Sequence, residues 1–594
     1  MLPLTALRAK LEEAGIHAYF LPNSDPHQSE YPAPHWRLMP WLTGFTGSAG
    51  NVLFTQDFAG VWTDSRYFLQ ADAELNPMGF ELMKLMVPHT PEFLNWMKEN
   101  LPVGSTLALD GSLVSLSRIR SFEKHLSAKN IQIQDVGDWV SDCWPERPEL
   151  PMAPLKDHPV KFAGKSREDK LMALREQMKA TGATHHLLTS LDEWAWLLNV
   201  RGSDVAYNPV AVGYVLVSEE TATLFIQPEK VSPQLAKILE EAGVSIDPYE
   251  AVGEALAALP KEAVLRFDPA RISWQLSQQI SGDCQPQEGE HFTTLSKAQK
   301  NEVEQQHIRS VMVKDGIAMV RFLRWLEKRV PAGGLTEHEV GKQIHRFRFE
   351  QERYVGHSFS PIVGYRGNGA IVHYSAKEGD CAELQPGGML LVDSGGQYED
   401  GTTDITRTIA LGSPTEAERR DFTLVLKGHI ALAMAAFPEG TAGYQLEAFA
   451  RMPLWQHGMT YGHGTGHGVG FYLNVHEGPQ SFGRAASGKS AVALAPGMLT
   501  SNEPGLYHEG KYGIRIENLM LCVPYTENEA YGKFLALETV TLCPIDQQLI
   551  DPAMLTFEEK EWLNQYHQLV LLRLSPFLLA EEQAWLQQQC SPIR

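Results

Sequence analysis

The stretch LLVDSGGQYEDGTTDITRTI, residues 390–409, sets two β-rich runs on either side of a turn built of Gly395, Gly396, Asp400 and Gly401. That pattern predicts a hairpin whose strands bring Asp393 close to Asp404. Two carboxylates side by side in a partly buried sheet repel each other unless protons or a cation compensate them. The chain must therefore build a sheet around a charged centre, and a metal is the simplest resolution.

Three further candidate ligands follow within about a hundred residues. His467 lies in TYGHGTGHGVG, where five glycines remove side-chain bulk and let the backbone bend close to whatever the histidines face; this predicts a loop. Glu503, in MLTSNEPG, stands at the end of an apolar run just before Pro504 and Gly505, at an expected strand end. Glu517 lies in YGIRIENLMLC, where alternation puts Ile514 and Ile516 on one strand face and Arg515 and Glu517 on the other. Arg515 is then placed to orient a carboxylate ligand from behind. Any one of these acids alone reads more readily as a turn-former or a surface residue. The ordered set of Asp393, Asp404, His467, Glu503 and Glu517 carries the inference. Four carboxylates and one imidazole form a hard ligand set suited to manganese, cobalt or zinc. Two ions roughly 3.5 to 4 Å apart, sharing carboxylates and a water, would use all five and supply a hydroxide near neutral pH.

The chain is 594 residues long, too long for one core. Its 51 basic and 72 acidic residues give a net charge of −21, which disfavours nucleic acid and anionic membrane as partners. The six cysteines are scattered, without CxxC or zinc-knuckle spacing, so no disulfide framework is expected. The first residues lack a charged region followed by an apolar core, and no run approaches 18 apolar residues. These features predict a cytoplasmic location.

Leu4, Leu7 and Leu11 sit at helical spacing, Gly15 stops that helix, and the strand-like IHAYFL follows. Five prolines from Pro145 to Pro159 mark a linker. Beyond it, Ser166 is a candidate helix cap, and Leu174 to Gly182 repeats the spacing of Leu7 to Gly15. The first two domains are thus expected to be α/β structural repeats of each other, serving substrate shaping and dimer contacts rather than chemistry. A third domain opens on a long amphipathic helix with Val311, Asp315, Ala318, Phe322 and Trp325 on one face. The predicted division is 1–155, 156–296 and 297–594. Near the C-terminus, Thr556 and Glu559 form a capping box opening a helix whose Trp562, Tyr566 and Leu569 pack on one side.

SFSPIVGYRGNGAIVHYSA, HGTGHGVGFYLNVHEGP, YGIRIEN and WTDSRYFLQA, together with the five ligand positions, resemble the "pita-bread" metallopeptidases of family M24, which include methionine aminopeptidase, prolidase, aminopeptidase P and creatinase. The likeness is to the long three-domain Xaa-Pro aminopeptidases and runs essentially from end to end. It implies creatinase-like first and second domains and an α+β catalytic domain, in which helices cover a curved antiparallel sheet that holds the metals. The C-terminal extension then occupies about 530–594. The resemblance assigns Asp393 and Asp404 to one ion, His467 and Glu503 to the other, and Asp404 and Glu517 to both. Glu503 is also expected to take a proton from the attacking water. It places His373, His463 and His476 around the substrate as donors to the carbonyl oxygen or the leaving nitrogen. It further implies two divalent ions, manganese first with cobalt or zinc as alternatives, a homodimer, and cleavage of the bond before a second-position proline. Prolidase, which is restricted to dipeptides, is the nearest alternative, followed by a non-catalytic peptide-binding module on the same fold.

Overall fold

Helix ends fall where the sequence supplies caps and glycines. The helix Pro3–Ala14 buries Leu7 and Leu11 and ends at Gly15, whose φ of 64° suits glycine. The helix Arg167–Thr181 is capped by Ser166, which accepts from the Asp169 N–H, and ends at Gly182 with φ 76°. The computed structural model describes residues 3–86 and 92–594. They form two compact units, Met1–Pro159 with Lys165–Thr293, and Val160–Gly164 with Thr294–Arg594.

The first unit holds two six-stranded sheets of the same build. One runs Glu81–Leu85, Ala59–Asp64, Asn51–Phe54, Ala18–Pro22, Thr106–Leu109, Gln132–Asp135. The other runs Val244–Asp247, Ala222–Phe225, Tyr214–Ser218, His185–Leu188, Val264–Phe267, Gln285–Glu288. In each, the two inner pairings on one side are antiparallel and the remaining three are parallel. Matching order and matching polarity make the two halves structural repeats, as the duplicated Leu-to-Gly spacing predicts.

The second unit opens on the helix Glu302–Arg329, started by an Asn301–Glu304 capping box. Val311, Asp315, Ala318 and Phe322 are buried on one face, whereas Trp325 is only partly so. Burying a side chain such as Phe322 contributes roughly 2–3 kcal/mol. The acid in the stripe is matched: Arg348 donates Nε to Asp315 Oδ1 at 2.8 Å and Nη2 to Oδ2 at 3.1 Å, and Tyr398 Oη donates to Oδ1 at 2.9 Å. The sheets of this unit are antiparallel. A three-stranded sheet orders Ile362–Tyr365, Met389–Ser394, Ile405–Ala410. A six-stranded one orders Ala436–Pro438, Gly532–Thr539, Asn518–Asn528, Leu499–Asn502, Gly466–Gly468, Glu477–Phe482. The two meet where the Glu517 N–H donates to Thr406 O at 3.1 Å.

The helix Phe557–Leu574 has the expected Thr556–Glu559 capping box, but its inner face is turned from the one read in the sequence. Leu563, Tyr566, His567, Val570 and Leu574 are buried, while Leu569 is exposed. His567, which the apolar pattern does not mark, is held inward by the Ile545 N–H, which donates to its Nε2 at 3.1 Å, while Tyr566 Oη accepts from Arg407 Nη2 at 2.9 Å. Among the described residues no helix is long and apolar enough to cross a membrane.

Candidate metal centre

The expected hairpin carries the first two acids. Asp393 lies in the strand Met389–Ser394 opposite Thr406, and Asp404 immediately precedes the partner strand Ile405–Ala410. Between them the chain makes a smaller inner hairpin, Gly396–Tyr398 with Gly401–Thr402. His467 departs from the loop reading: it sits in the short strand Gly466–Gly468, just before a register shift against Glu477–Phe482. Such a bulge re-aims a side chain. The flanking glycines are there for want of room, since a Cβ on Gly466 would lie 1.9 Å from Ser501 O and one on Gly468 2.4 Å from Glu477 O. The preceding turn is pinned by Arg451, which donates to Tyr461 O and His463 O, each at 2.7 Å.

Glu503 follows the strand Leu499–Asn502 at its end, as read from the sequence. Glu517 does not lie in a continuous strand with Arg515. The strand Tyr512–Arg515 stops, Ile516 and Glu517 bond instead to Pro504 O and Thr406 O, and a new strand begins at Asn518. The expected facing survives the break: Ile514 and Ile516 join the apolar core, while Arg515 and Glu517 turn to the acids.

The structure brings the five together. Asp404, His467 and Glu517 each offer a ligand atom within 4.8 Å of the others'. His467 Nε2 is 3.5 Å from Asp404 Oδ2 and 3.4 Å from Glu503 Oε1. Its Nδ1 is 3.0 Å from Gly468 O, a carbonyl that can only accept, so Nδ1 carries a proton and Nε2 faces the carboxylates. Arg515 donates Nη2 to Asp393 Oδ2 at 2.6 Å, and Thr406 donates Oγ1 to Glu517 Oε2 at 2.7 Å. Ser501 donates Oγ to Glu503 Oε1 at 3.1 Å.

Whether such a cluster fits a cation is tested by its charges. Burial pushes the Asp393 carboxyl up to about 6, Arg515 opposing the rise and Asp404 reinforcing it. Burial, then Asp404, Glu503 and Asp393, hold Glu517 well above the usual carboxylate range. Burial works against a charge on His467, but its hydrogen bond to Asp404 and the charge of Glu503 outweigh it and raise the ring to about 9. Asp393 Oδ1 is buried and has no hydrogen-bond partner among the described residues. Without metal, protons stand in for positive charge, and the donor set is the hard one divalent ions take. The residues fit two such ions.

A pH dependence follows for the metal-free protein. Asp393 and Glu517 have folded values above their unfolded ones, so their contribution is fully present at acid pH and is lost as pH rises through about 6 and beyond. His467, also raised, contributes below its ordinary value of 6.5 and loses that contribution through about 9. Divalent ions replace these protons. Melting of chelator-stripped and manganese-loaded protein at pH 5, 7 and 9 should show the stabilisation by metal widening with pH; a gap that shrinks would contradict the site.

Of the three histidines placed around the substrate, His476 lies edge-on to His467, with ring centroids 4.4 Å apart. His463 has both ring nitrogens engaged. Nδ1 donates to Gly464 O at 2.8 Å, and Nε2 is 2.7 Å from Tyr507 Oη, which itself accepts from Arg515 Nη1 at 2.7 Å. Because arginine only donates, Tyr507 keeps its own proton available for His463 Nε2. His373 is half-buried in an irregular segment, and its neighbour Val372 offers a carbonyl 3.5 Å from Arg515 Nη2. The sequence reading missed Tyr507, Thr406, Ser501 and Arg407. Arg407 donates to Thr406 O and Glu517 O and is gripped in turn by Pro544 O, Cys543 O and Tyr566 Oη. The C-terminal tail thus packs, as expected, but what it packs against is the backbone of the centre.

Fold and site together define a metallopeptidase with two N-terminal domains of creatinase type. The family model for metallopeptidase family M24 matches residues 306–524, and that for the family's C-terminal region matches 533–593. Two models of the creatinase/prolidase N-terminal domain match 3–143 and 146–304. A probable Xaa-Pro aminopeptidase P of Pyricularia oryzae is 39% identical over 615 residues, covering 99% of this chain and 98% of that protein. Its counterpart in Laccaria bicolor is 39% identical over 602 residues, covering 99% and 93%. The crystal structure of X-prolyl aminopeptidase from Caenorhabditis elegans, described as a cytosolic enzyme with a di-nuclear active site, superposes with a TM-score of 0.95 at 34% identity, over 100% of this chain and 99% of that one. The chain belongs to the Xaa-Pro aminopeptidases of metallopeptidase family M24.

Proposed function

We propose that this enzyme removes the N-terminal residue from peptides with proline in second position, using two divalent ions. The observation that carries the reading is the joining of all five acid and imidazole ligands in one cluster within a chain that matches Xaa-Pro aminopeptidases from end to end. Asp393 and Asp404 would hold one ion, His467 and Glu503 the other, with Asp404 and Glu517 shared. Bound there, manganese, or cobalt or zinc in its place, supplies hydroxide near neutral pH and positive charge for the developing oxyanion.

The chain's own groups do the rest. Glu503, steadied by Ser501, takes the proton from the attacking water. Arg515 and Thr406 hold Asp393 and Glu517 in orientation. His476, against His467, and His373 are the donors to the carbonyl oxygen and the leaving nitrogen. His463 acts through Tyr507 unless substrate takes its place on Nε2. A second-position proline offers a tertiary amide without N–H, so its selection rests on shape.

We further place the domain boundaries near residues 155 and 296, in keeping with the matched segments 3–143, 146–304 and 306–524. A cytoplasmic location is supported by the cytosolic Caenorhabditis elegans enzyme. A homodimer is supported by the helix Gly443–Trp455, which exposes Tyr444, Phe449, Met452 and Trp455 by 38 to 48%. Sedimentation should give a dimer for the wild type and a monomer for Trp455→Glu; a dimeric variant would remove that surface from the interface.

The activity is tested with Arg-Pro-Pro, Arg-Ala-Pro and the dipeptide Arg-Pro. Release of arginine from Arg-Pro-Pro and not from Arg-Ala-Pro is expected. Cleavage of the dipeptide alone would make the chain a prolidase, and cleavage of none would favour a binding module.

A further inference from the structure

Glu337 is fully buried at the first position of the helix Glu337–Phe349, where Thr336 and Glu339 already provide the capping box. Its two carboxylate oxygens accept hydrogen bonds from four residues. The Tyr365 N–H donates at 2.6 Å, Asn368 Nδ2 reaches both oxygens at 3.0 and 3.1 Å, Tyr374 Oη donates at 2.8 Å, and the Ala382 N–H donates at 2.8 Å. These donors stand at both ends and in the middle of one segment. From Ile371 to Ala382 that segment has neither helix nor strand, so its path is set by cross-links rather than by a ladder. His373 lies inside it, next to Tyr374.

The opposite side of the segment is tied to the metal centre. Arg515, which holds Asp393, reaches Val372 O at 3.5 Å. Gly369 lies so close to the strand Tyr512–Arg515 that a Cβ on Gly513 would sit 1.7 Å from Gly369 O. The segment is thus clamped between a carboxylate hub and the strand that carries Arg515. A hub receiving this many donors must be acceptor-only, which a carboxylate is and an amide is not.

We propose that Glu337 is a positioning residue for catalysis: through Tyr374 and Asn368 it fixes the loop that presents His373 to the substrate. The proposal rests on the reading of His373 as a substrate-facing donor. Among the described residues, the Glu337 carboxylate bonds to none of the five metal-binding side chains. An amide at position 337 would turn N–H groups toward donors and let the loop drift while leaving the five metal-binding side chains in place.

The test is kinetic, with manganese-loaded full-length protein and Arg-Pro-Pro as substrate. The variants are Glu337→Gln, Tyr374→Phe, His373→Ala and the double variant Glu337→Gln/His373→Ala. His373→Ala should lower kcat by about 100-fold, as expected on losing a positioned proton or hydrogen-bond donor. Glu337→Gln should lower kcat by about 10- to 100-fold, the range for outer-shell orienting groups, with bound metal and KM little changed. Tyr374→Phe should show a smaller loss of the same kind. The double variant should be no slower than His373→Ala, because the loop then has nothing left to present. Multiplicative losses in the double variant, or metal lost in parallel with activity, would make Glu337 a purely structural residue and overturn the proposal. Wild-type kcat in His373→Ala would overturn the reading of His373 and the proposal with it. Where Glu337→Gln does not fold, Tyr374→Phe alone and combined with His373→Ala carries the same comparison.

Discussion

Asp404→Asn should lower kcat/KM for Arg-Pro-Pro by about 1,000-fold or more, since losing several kcal/mol of metal-derived transition-state stabilisation is worth a factor of that size. Asp404 places its Oδ2 3.5 Å from His467 Nε2, and it shares the cluster with Glu517. The assignment makes it a ligand of both ions, so an amide there weakens both. The fold should survive. Asp404 is among the groups that hold the Asp393 and Glu517 carboxyls high, and a neutral side chain of the same shape relieves that repulsion. Elemental analysis should show less than the wild-type metal content, and metal-free Asp404→Asn should still unfold cooperatively. Retained turnover with normal metal content would contradict the shared-ligand assignment.

Arg348→Met should cost about 3–5 kcal/mol of stability, the range for removing one partner of a buried ion pair. Arg348 and Asp315 are both buried, and the variant would leave the Asp315 carboxylate with only the Tyr398 hydroxyl among the partners described above. Arg348 also donates Nη2 to Ser394 O at 3.3 Å, one residue from Asp393. Metal affinity should therefore fall along with the melting temperature. Asp315→Leu combined with Arg348→Met should recover much of the stability, because no charge is then left buried. A double variant as unstable as Arg348→Met alone would mean the loss comes from packing rather than from an orphaned charge.

What could be read in the sequence was whatever has a local signature. Leu7 and Leu174 precede glycines at equal spacing, and the two sheets they lead into have the same strand order and polarity. The hairpin around Asp393 and Asp404 announced itself by its turn residues, and Arg515 by alternation with two buried isoleucines. What escaped depends on distant partners. Glu337 looks like an ordinary first-turn acid in LTEHE, since nothing local shows that Tyr365, Asn368, Tyr374 and Ala382 will converge on it. Alternation alone carried the strand through Glu517, but the bond from its N–H to Thr406 O breaks the ladder there. His467 read as loop because glycines usually mean loops, whereas here they make room for strands to approach. The buried face of the helix Phe557–Leu574 differs by a fraction of a turn from its apolar stripe, because the Ile545 N–H, 22 residues earlier, claims His567, a polar residue that no apolar pattern marks.

The central claim is that two bound ions at this cluster drive cleavage before proline. It is tested most directly by stripping the enzyme with a chelator and titrating manganese back while following bound metal and Arg-Pro-Pro cleavage together. The account predicts no cleavage in stripped protein and activity that becomes full as the second equivalent binds. Cleavage by protein free of metal, or full activity at a single equivalent, would contradict it.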